Sequence, residues 1–367
     1  MKKVIMYEKI YRDIITNIQN GVYKENDLLP SEKELAEEYG VSRITTNKAM
    51  NLLAKNGMIE RIQGKGSFVS MNVAEKTKKA EREELVDDDA DFVQDTIGVI
   101  VDNFDIDFGS NLVKGIEMEC RRQNIGMYLC CTYGSIDVEN KGIRTSLAHG
   151  AKGLILMSVQ GEKYNDTILK LTLDGFPVVL VDREMKGIGI PCVKTDNYAA
   201  TKEITEILIR RNHKKICFVT HVDQTTSTIE DRMDAFRDCV LEHPDCQGIV
   251  EVFKGYHTTP ENAIMEYKNY DLSEIKEIIK RRKDCTAFFA AEYKMGVLFR
   301  RACEEMQLKR EICTFVGLIG IFDEQNRFLH IKQDEYKIGV EAVKTLKKVM
   351  ENEETELIIN IPYTVAM

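Results

Sequence analysis

The stretch Leu29 to Val69 reads LPSEKELAEEYGVSRITTNKAMNLLAKNGMIERIQGKGSFV, and its reading decides how the rest of the chain is understood. Ser31 stands three residues before Glu34. That is the spacing of a capping box, in which two side chains satisfy backbone N–H groups at a helix start. Leu35, Ala36 and Tyr39 then share one face, and Gly40 closes the helix and supplies a turn. Ser42 is placed to cap a second helix reaching about Lys55, with Ala49, Leu52 and Leu53 inward and Gly57 at its end. Met58–Ile62 and Ser67–Val69 read as strands around Gln63-Gly64-Lys65-Gly66, where two glycines permit a sharp turn. Two helices, a turn and a glycine-bearing hairpin make a winged helix-turn-helix, which lays its second helix in the DNA major groove. A GxG pair also occurs in nucleotide-binding loops, but the third glycine and following helix of that motif are absent.

Working outward, Val4 to Asn20 reads as a further helix, because Tyr7, Ile10, Tyr11, Ile14, Ile15 and Ile18 follow the spacing of one buried face. Charge is divided along the chain. Residues 1–70 hold eleven Lys and Arg against nine Asp and Glu, a balance of +2, and the remainder holds 40 against 51, a balance of −11. From Val41 to Ser70 the basic residues Arg43, Lys48, Lys55, Arg61 and Lys65 face Glu60 alone, giving +4. Positive charge is therefore gathered where DNA would lie. Residues 71–95, with Asp87-Asp88-Asp89 and Asp91, are densely charged and poor in apolar residues, so they read as a linker between domains 1–70 and 96–367.

The stretch resembles the winged-helix domain of the GntR family. The residues that carry the likeness are Leu29-Pro30-Ser31-Glu32, Leu35-Ala36, Gly40-Val41-Ser42-Arg43, Thr45, Ala49, Leu52, Gly57, Ile59, Gly64, Gly66, Phe68 and Val69. The resemblance implies that the helix after Ser42 enters the major groove. Arg43 becomes the best base reader, since a guanidinium can bond guanine O6 and N7 together. Ser42, Thr45 and Thr46 are expected at phosphates or base edges. Glu32 and Lys33 lie at the helix start that would hold phosphates. Gln63, Gly64, Lys65 and Gly66 would set the wing in the minor groove. Asn47 stands where the family usually has Arg, and an Asn can read adenine.

From Thr96 the rhythm changes. Short apolar runs recur as TIGVIV, GMYLCC at 126–131, GLILM at 153–157, PVVLV at 177–181, KICFVT at 215–220, TAFFA at 286–290 and CTFVG at 313–317. Amphipathic stretches alternate with them at Ser110–Asn124, Tyr198–Arg211 and Tyr336–Met350. Apolar strands alternating with amphipathic helices imply parallel sheets covered on both faces, and about 270 residues suit two such lobes. This region resembles the effector domain of LacI/GalR repressors, the type I periplasmic-binding-protein fold. The landmarks are Lys152-Gly153-Leu154-Ile155-Leu156, Pro177-Val178-Val179-Leu180-Val181-Asp182-Arg183, Thr195-Asp196-Asn197-Tyr198-Ala199-Ala200, Arg211-Asn212-His213-Lys214-Lys215-Ile216, Arg232 with Phe236, and Gln333-Asp334 with Tyr336 and Gly339. A GntR-type head on a LacI-type body resembles the arabinose-repressor (AraR) subfamily. The resemblance implies a first lobe crossover near residue 195. It also implies an effector cleft lined by Asp102, Asn103, Asp182, Arg232 and Glu292. Two positions depart from it, because the family's Asn-Asp is Ala291-Glu292 here and an expected Asp is Ile319. Losing hydroxyl-binding groups weighs against a sugar and towards a more apolar or anionic ligand.

The fold class expected is thus multi-domain: an N-terminal winged helix-turn-helix followed by a two-lobed α/β domain with parallel sheets. The expected function is a bacterial ligand-responsive transcription regulator, in which a homodimer binds double-stranded operator DNA and a small-molecule effector releases it. The alternative is a cytoplasmic small-molecule-binding or enzymatic α/β protein with an incidental helical head. No GxSxG, HExxH or P-loop appears, so no enzyme, metal or cofactor is expected. The ten cysteines form no CxxC pair and read as reduced, mostly buried thiols, with Cys130 and Cys131 on opposite faces of one strand. No signal h-region or 18-residue apolar run occurs, so the cytoplasm is the expected compartment and no membrane is involved.

Overall fold

A computed structural model describes residues 6–71, 95–103, 108–159, 164–221, 226–254, 270–316 and 329–366. The charged linker 71–95 therefore lies outside the described residues except at Met71 and Asp95. The chain forms two compact units, residues 1–91 and 92–367. Among the described residues no helix is long and apolar enough to cross a membrane.

The first unit contains α1 (Met6–Gln19), α2 (Glu32–Tyr39), α3 (Arg43–Lys55) and the hairpin β1 (Ile59–Ile62) and β2 (Gly66–Val69). The strands are antiparallel, with Ile59 opposite Val69 and Ile62 opposite Gly66. Ile10, Tyr11, Ile14 and Ile18 of α1 close over Leu35, Ala49, Met50 and Leu53 and over Met58 and Val69 of the hairpin. Removing these side chains from water is what holds so small a unit together, at roughly 1.5–3 kcal/mol for each large aliphatic.

The second unit contains two sheets of identical strand order. The first holds β3 (Asp95–Val101), β4 (Ile125–Cys131), β5 (Gly153–Leu156), β6 (Val178–Val181), β7 (Cys192–Thr195) and β13 (Ile358–Ile361), in the spatial order β13-β7-β6-β5-β3-β4. The second holds β8 (Lys215–His221), β9 (Gln247–Phe253), β10 (Ala287–Ala290), β11 (Glu311–Val316), β12 (Leu329–Lys332) and β14 (Thr364–Ala366), in the order β14-β12-β11-β10-β8-β9. Every pairing is parallel except β12 with β14.

Helices cover both faces of each sheet. The first sheet lies between α4 (Ser110–Arg122) with α11 (Glu335–Met350) and α5 (Ile136–Ala148) with α6 (Asp166–Leu173). The second lies between α7 (Asn197–Arg210) with α8 (Ser227–Leu241) and α9 (Ser273–Arg281) with α10 (Tyr293–Glu305). Cys130 packs in one core of the first lobe and Cys131 in the other, because successive strand residues point to opposite faces. All ten cysteines are free thiols.

Among the described residues the chain passes between lobes three times. It leaves the first sheet after Thr195, returns between Lys332 and Glu335, and leaves again between Ile361 and Thr364. The returning helix α11 crosses α4 at two glycines. A Cβ on Gly115 would sit 2.2 Å from the Tyr336 carbonyl oxygen, and one on Gly339 would sit 2.3 Å from that of Leu112. Neither position admits a side chain, so the second crossing is clamped tightly onto the first lobe.

Candidate DNA interface and inter-lobe cleft

In the head, the local signals build the geometry directly. The Ser31 backbone N–H donates to Glu34 Oε2 at 2.7 Å and the Glu34 N–H donates to Ser31 Oγ at 3.3 Å. Gly40 ends α2 in the left-handed conformation, φ 63°, and turns the chain into α3. Ser42 caps α3, accepting from the Thr45 N–H at 3.3 Å. Ser42 and Arg43 are exposed in that first turn and Thr45 is half-exposed. Four of the sequence-predicted contacts, Gln63, Gly64, Lys65 and Gly66, lie exposed at the hairpin tip. Gly64 has φ +75° and Gly66 has φ +116°. The turn needs both, and a Cβ on Gly66 would also strike Leu28 Cδ1 at 2.6 Å.

Three expected DNA contacts need correction. Thr46 is 0% exposed, and its hydroxyl donates to the carbonyl oxygens of Glu32 and Arg43, each at 3.0 Å. It ties α2 to α3 and cannot reach a phosphate. Asn47 donates from Nδ2 to Glu32 Oε1 at 2.8 Å and accepts from Asn51 Nδ2 at 2.8 Å. The amide edge that adenine would need is thus engaged within the protein. Glu32 accepts from Asn47 and from the Arg61 guanidinium, which also donates to Asn51. Glu32 braces α3 against β1, and it offsets one of the five cations counted in the sequence. Lys33 is exposed and lies 4.0 Å from Glu37, a solvated pair of little energetic weight.

In the body, the predicted effector residues converge at the C-terminal ends of the parallel strands, where open α/β sheets hold ligands. Asp102 follows β3 and accepts from Arg183 Nη2 at 2.7 Å. Asn103, half-buried, is next in the chain. Asp182 follows β6 with φ +62°, is buried, and its Oδ1 has no hydrogen-bond partner among the described residues. Burial pushes its carboxyl up, against the pull of Arg232, Arg183 and Lys194. A strained, buried and incompletely bonded carboxyl at a strand end is the kind of residue that ligand sites retain.

Arg232, on α8, is 5% exposed. Its Nε donates to Asn197 Oδ1 at 2.8 Å, its Nη1 to the Ala291 carbonyl at 2.6 Å, and its guanidinium lies 3.6 Å over the Phe315 ring. Burial lowers it to about 10, so it stays charged at neutral pH. Solvent reaches 37% of the Glu292 side chain although protein surrounds it, the situation of a group in a cleft. Burial raises its carboxyl, but His221 at 3.7 Å, with Arg232 and Arg183, outweighs burial and holds it at about 2. Ala291 is buried and contributes its carbonyl to Arg232, while Ile319 lies outside the described residues.

Sequence reasoning missed a charged bridge between the lobes. Lys194, on β7 of the first lobe, donates to Glu184 at 2.8 Å and to Asp231 of α8 in the second lobe at 3.0 Å. Lys186 reaches the same Asp231 at 2.9 Å and Glu230 at 3.3 Å. The Glu184 N–H donates to Ser227 Oγ at 2.8 Å. Burial lowers Lys194, but Glu184 and Asp231 outweigh it and raise it to about 12. The sequence signal available was a lysine inside a four-residue apolar strand, CVKT, where an unpaired charge would be costly.

Known proteins are similar to both halves. Residues 6–69 match the family described as "Bacterial regulatory proteins, gntR family". Residues 94–276 match "Periplasmic binding proteins and sugar binding domain of LacI family". The arabinose metabolism transcriptional repressor of Geobacillus stearothermophilus is 23% identical over 99% of this chain and 96% of its own length. The HTH-type transcriptional regulator TreR of Bacillus subtilis (strain 168) is 49% identical, but over 18% of this chain and 28% of its own length. Among solved structures, the transcription regulator CcpA of Lactococcus lactis aligns with TM-score 0.62 at 21% identity, covering 74% of this chain and 97% of that one. A solute-binding protein of an ABC transporter from Mycobacterium smegmatis, with bound glycerol, aligns with TM-score 0.63 at 16% identity, covering 74% of this chain and 93% of that one. The chain therefore joins a gntR-family helix-turn-helix domain to a LacI-type periplasmic-binding domain, the build of a transcriptional regulator.

Proposed function

We propose that this chain is a ligand-responsive repressor that works in the bacterial cytoplasm as a homodimer on a pseudo-palindromic operator. One head reads one half-site, so two copies are needed to read both. Arg43 makes the base contact, Ser42, Thr45 and Lys33 hold phosphates, and Gln63 to Gly66 enter the minor groove. The effector is a sugar or another small polar molecule, held among Asp102, Asn103, Asp182, Arg232 and Glu292. Its binding changes lobe closure, and with it the spacing of the two heads.

The observation that carries this reading is the convergence of both lobes' charged residues where the chain crosses between sheets, in a chain that begins with a DNA-reading head. A ligand seated there touches both lobes at once and so can bias their arrangement. A coupling of about 1–3 kcal/mol is enough for a switch.

The test has two arms. Thermal-shift screening of the full-length protein against sugars, polyols and small acids is expected to give stabilisation by one class. Arabinose is screened first, since the relative similar over its full length is an arabinose repressor. DNA binding measured with and without the stabilising ligand then reports the coupling. A flat screen, or a ligand that stabilises the protein without altering DNA binding, overturns the reading.

A further inference from the structure

We infer that Ile44 reads the C5-methyl group of a thymine in the operator's major groove, an apolar contact beside the Arg43 base contact. The inference rests on the DNA-binding role proposed above and names a second specificity-determining residue for it.

Ile44 sits in the first turn of α3, directly after Arg43, and is 82% exposed. The other large aliphatic residues of that helix are packed: Met50 and Leu53 are buried and Leu52 rests against the head core. Among the described residues Ile44 belongs to no core cluster, so packing of the described head does not explain an isoleucine there. On its face of the helix, one turn on, stand Asn47 and Lys48, and after a second turn Asn51. Asn47 and Asn51 are bonded to each other and braced through Glu32 and Arg61. Lys48 lies 3.9 Å over the Tyr7 ring. Arg43 and Ile44 are thus the two long side chains at the N-terminal end of the helix that project from a fixed platform.

The N-terminal residues of a recognition helix are the ones that reach base edges. An isoleucine cannot bond a donor or acceptor there. The one apolar group that unmodified base pairs show in the major groove is the thymine methyl. Ile44 therefore discriminates a methyl-bearing pyrimidine from one that lacks it. One buried methyl is worth about a fourfold change in affinity per half-site.

The experiment uses the full-length protein and a duplex that it selects from random-sequence DNA. Each thymidine of one half-site is replaced in turn by deoxyuridine, which removes the methyl and leaves base pairing and the O4 acceptor in place. The expected result is one position where the replacement weakens wild-type binding about fourfold, with no further loss in Ile44→Ala. Because Ile44 is exposed, this variant is expected to keep the wild-type melting temperature. A scan with no sensitive position, or a sensitive position unchanged in Ile44→Ala, overturns the inference. Failure of the wild-type protein to select any sequence overturns the DNA-binding role itself, and the Ile44 contact with it.

Discussion

Replacing Glu335 with glutamine gives a quantitative check on the inter-lobe region. Glu335 is the first residue of α11, immediately after the second crossing, and is 2% exposed. Its Oε2 accepts from the Gly109 N–H at 2.9 Å at the start of α4, where the Asn111 and Leu112 N–H groups also act on the carboxyl. Burial raises its carboxyl from 4.5 to about 7; the Gly109 N–H opposes this and the Asp182 charge adds to it. A carboxyl raised in the folded state keeps its proton where the unfolded chain has released it. Its ionisation therefore erodes stability as pH rises from 4.5 through about 7, and the penalty is complete above that. Each pH unit across that window removes about 1.36 kcal/mol, so the penalty at pH 8 is about 3 kcal/mol. Glu335→Gln keeps an acceptor for Gly109 without the charge. The variant is expected to match wild type near pH 4.5 and to melt about 5–10 °C higher at pH 8. Parallel melts across that range read the difference, which cancels every other titrating group common to both proteins. A difference that stays constant with pH would refute the reasoning.

The remaining predictions concern the head and the bridge. Arg43→Ala is expected to cost about 1–3 kcal/mol in specific operator binding and to relax discrimination at one base pair, measured in a gel-shift panel of single-base variants. Glu32→Ala removes a negative charge near DNA, yet it also unbraces Asn47 and Arg61. Specific affinity is expected to fall by about 1 kcal/mol while binding to random DNA holds or rises, and a gain in specific affinity would remove the bracing role. Lys194→Met leaves Glu184 and Asp231 facing each other across the lobes. Stability in urea is expected to fall by about 1–3 kcal/mol, less than for a fully buried pair because both carboxylates are partly solvated, and X-ray scattering should show more open lobes.

The head was legible in the sequence because its signals are local. Ser31 and Glu34 form the capping box, Gly40 and Gly64 take the left-handed conformations, and the α1 stripe buries the residues that its spacing selects. What the sequence hid there was competition for side chains. Nothing in the string SRITTN says that Thr46 turns inward or that Asn47 is already bonded, since both depend on Glu32 one helix away.

In the body, the seven apolar runs mark seven strands, with Gly317 of the last run outside the described residues. The strands that escaped notice were β7, β9, β12, β13 and β14. β7 is four residues long and contains Lys194, and β9 is an edge strand with polar residues interleaved. Their pairing is decided by partners far away in sequence. The position of Asp182 at the end of a strand was legible through its motif. The Lys194 bridge was not, because Asp231, which pairs with Lys194, and Glu230, which pairs with Lys186, come near only after the chain has crossed between lobes.

A ligand in the cleft is expected to alter what the head does on DNA. Fluorescence anisotropy of a labelled operator, titrated with full-length protein at several salt concentrations, with and without the effector found by thermal shift, tests it most directly. The expected result is salt-sensitive, sequence-specific binding that saturating effector weakens about fivefold or more, with operator DNA weakening effector binding by the same factor. Operator affinity unchanged by an effector that demonstrably occupies the protein would contradict it.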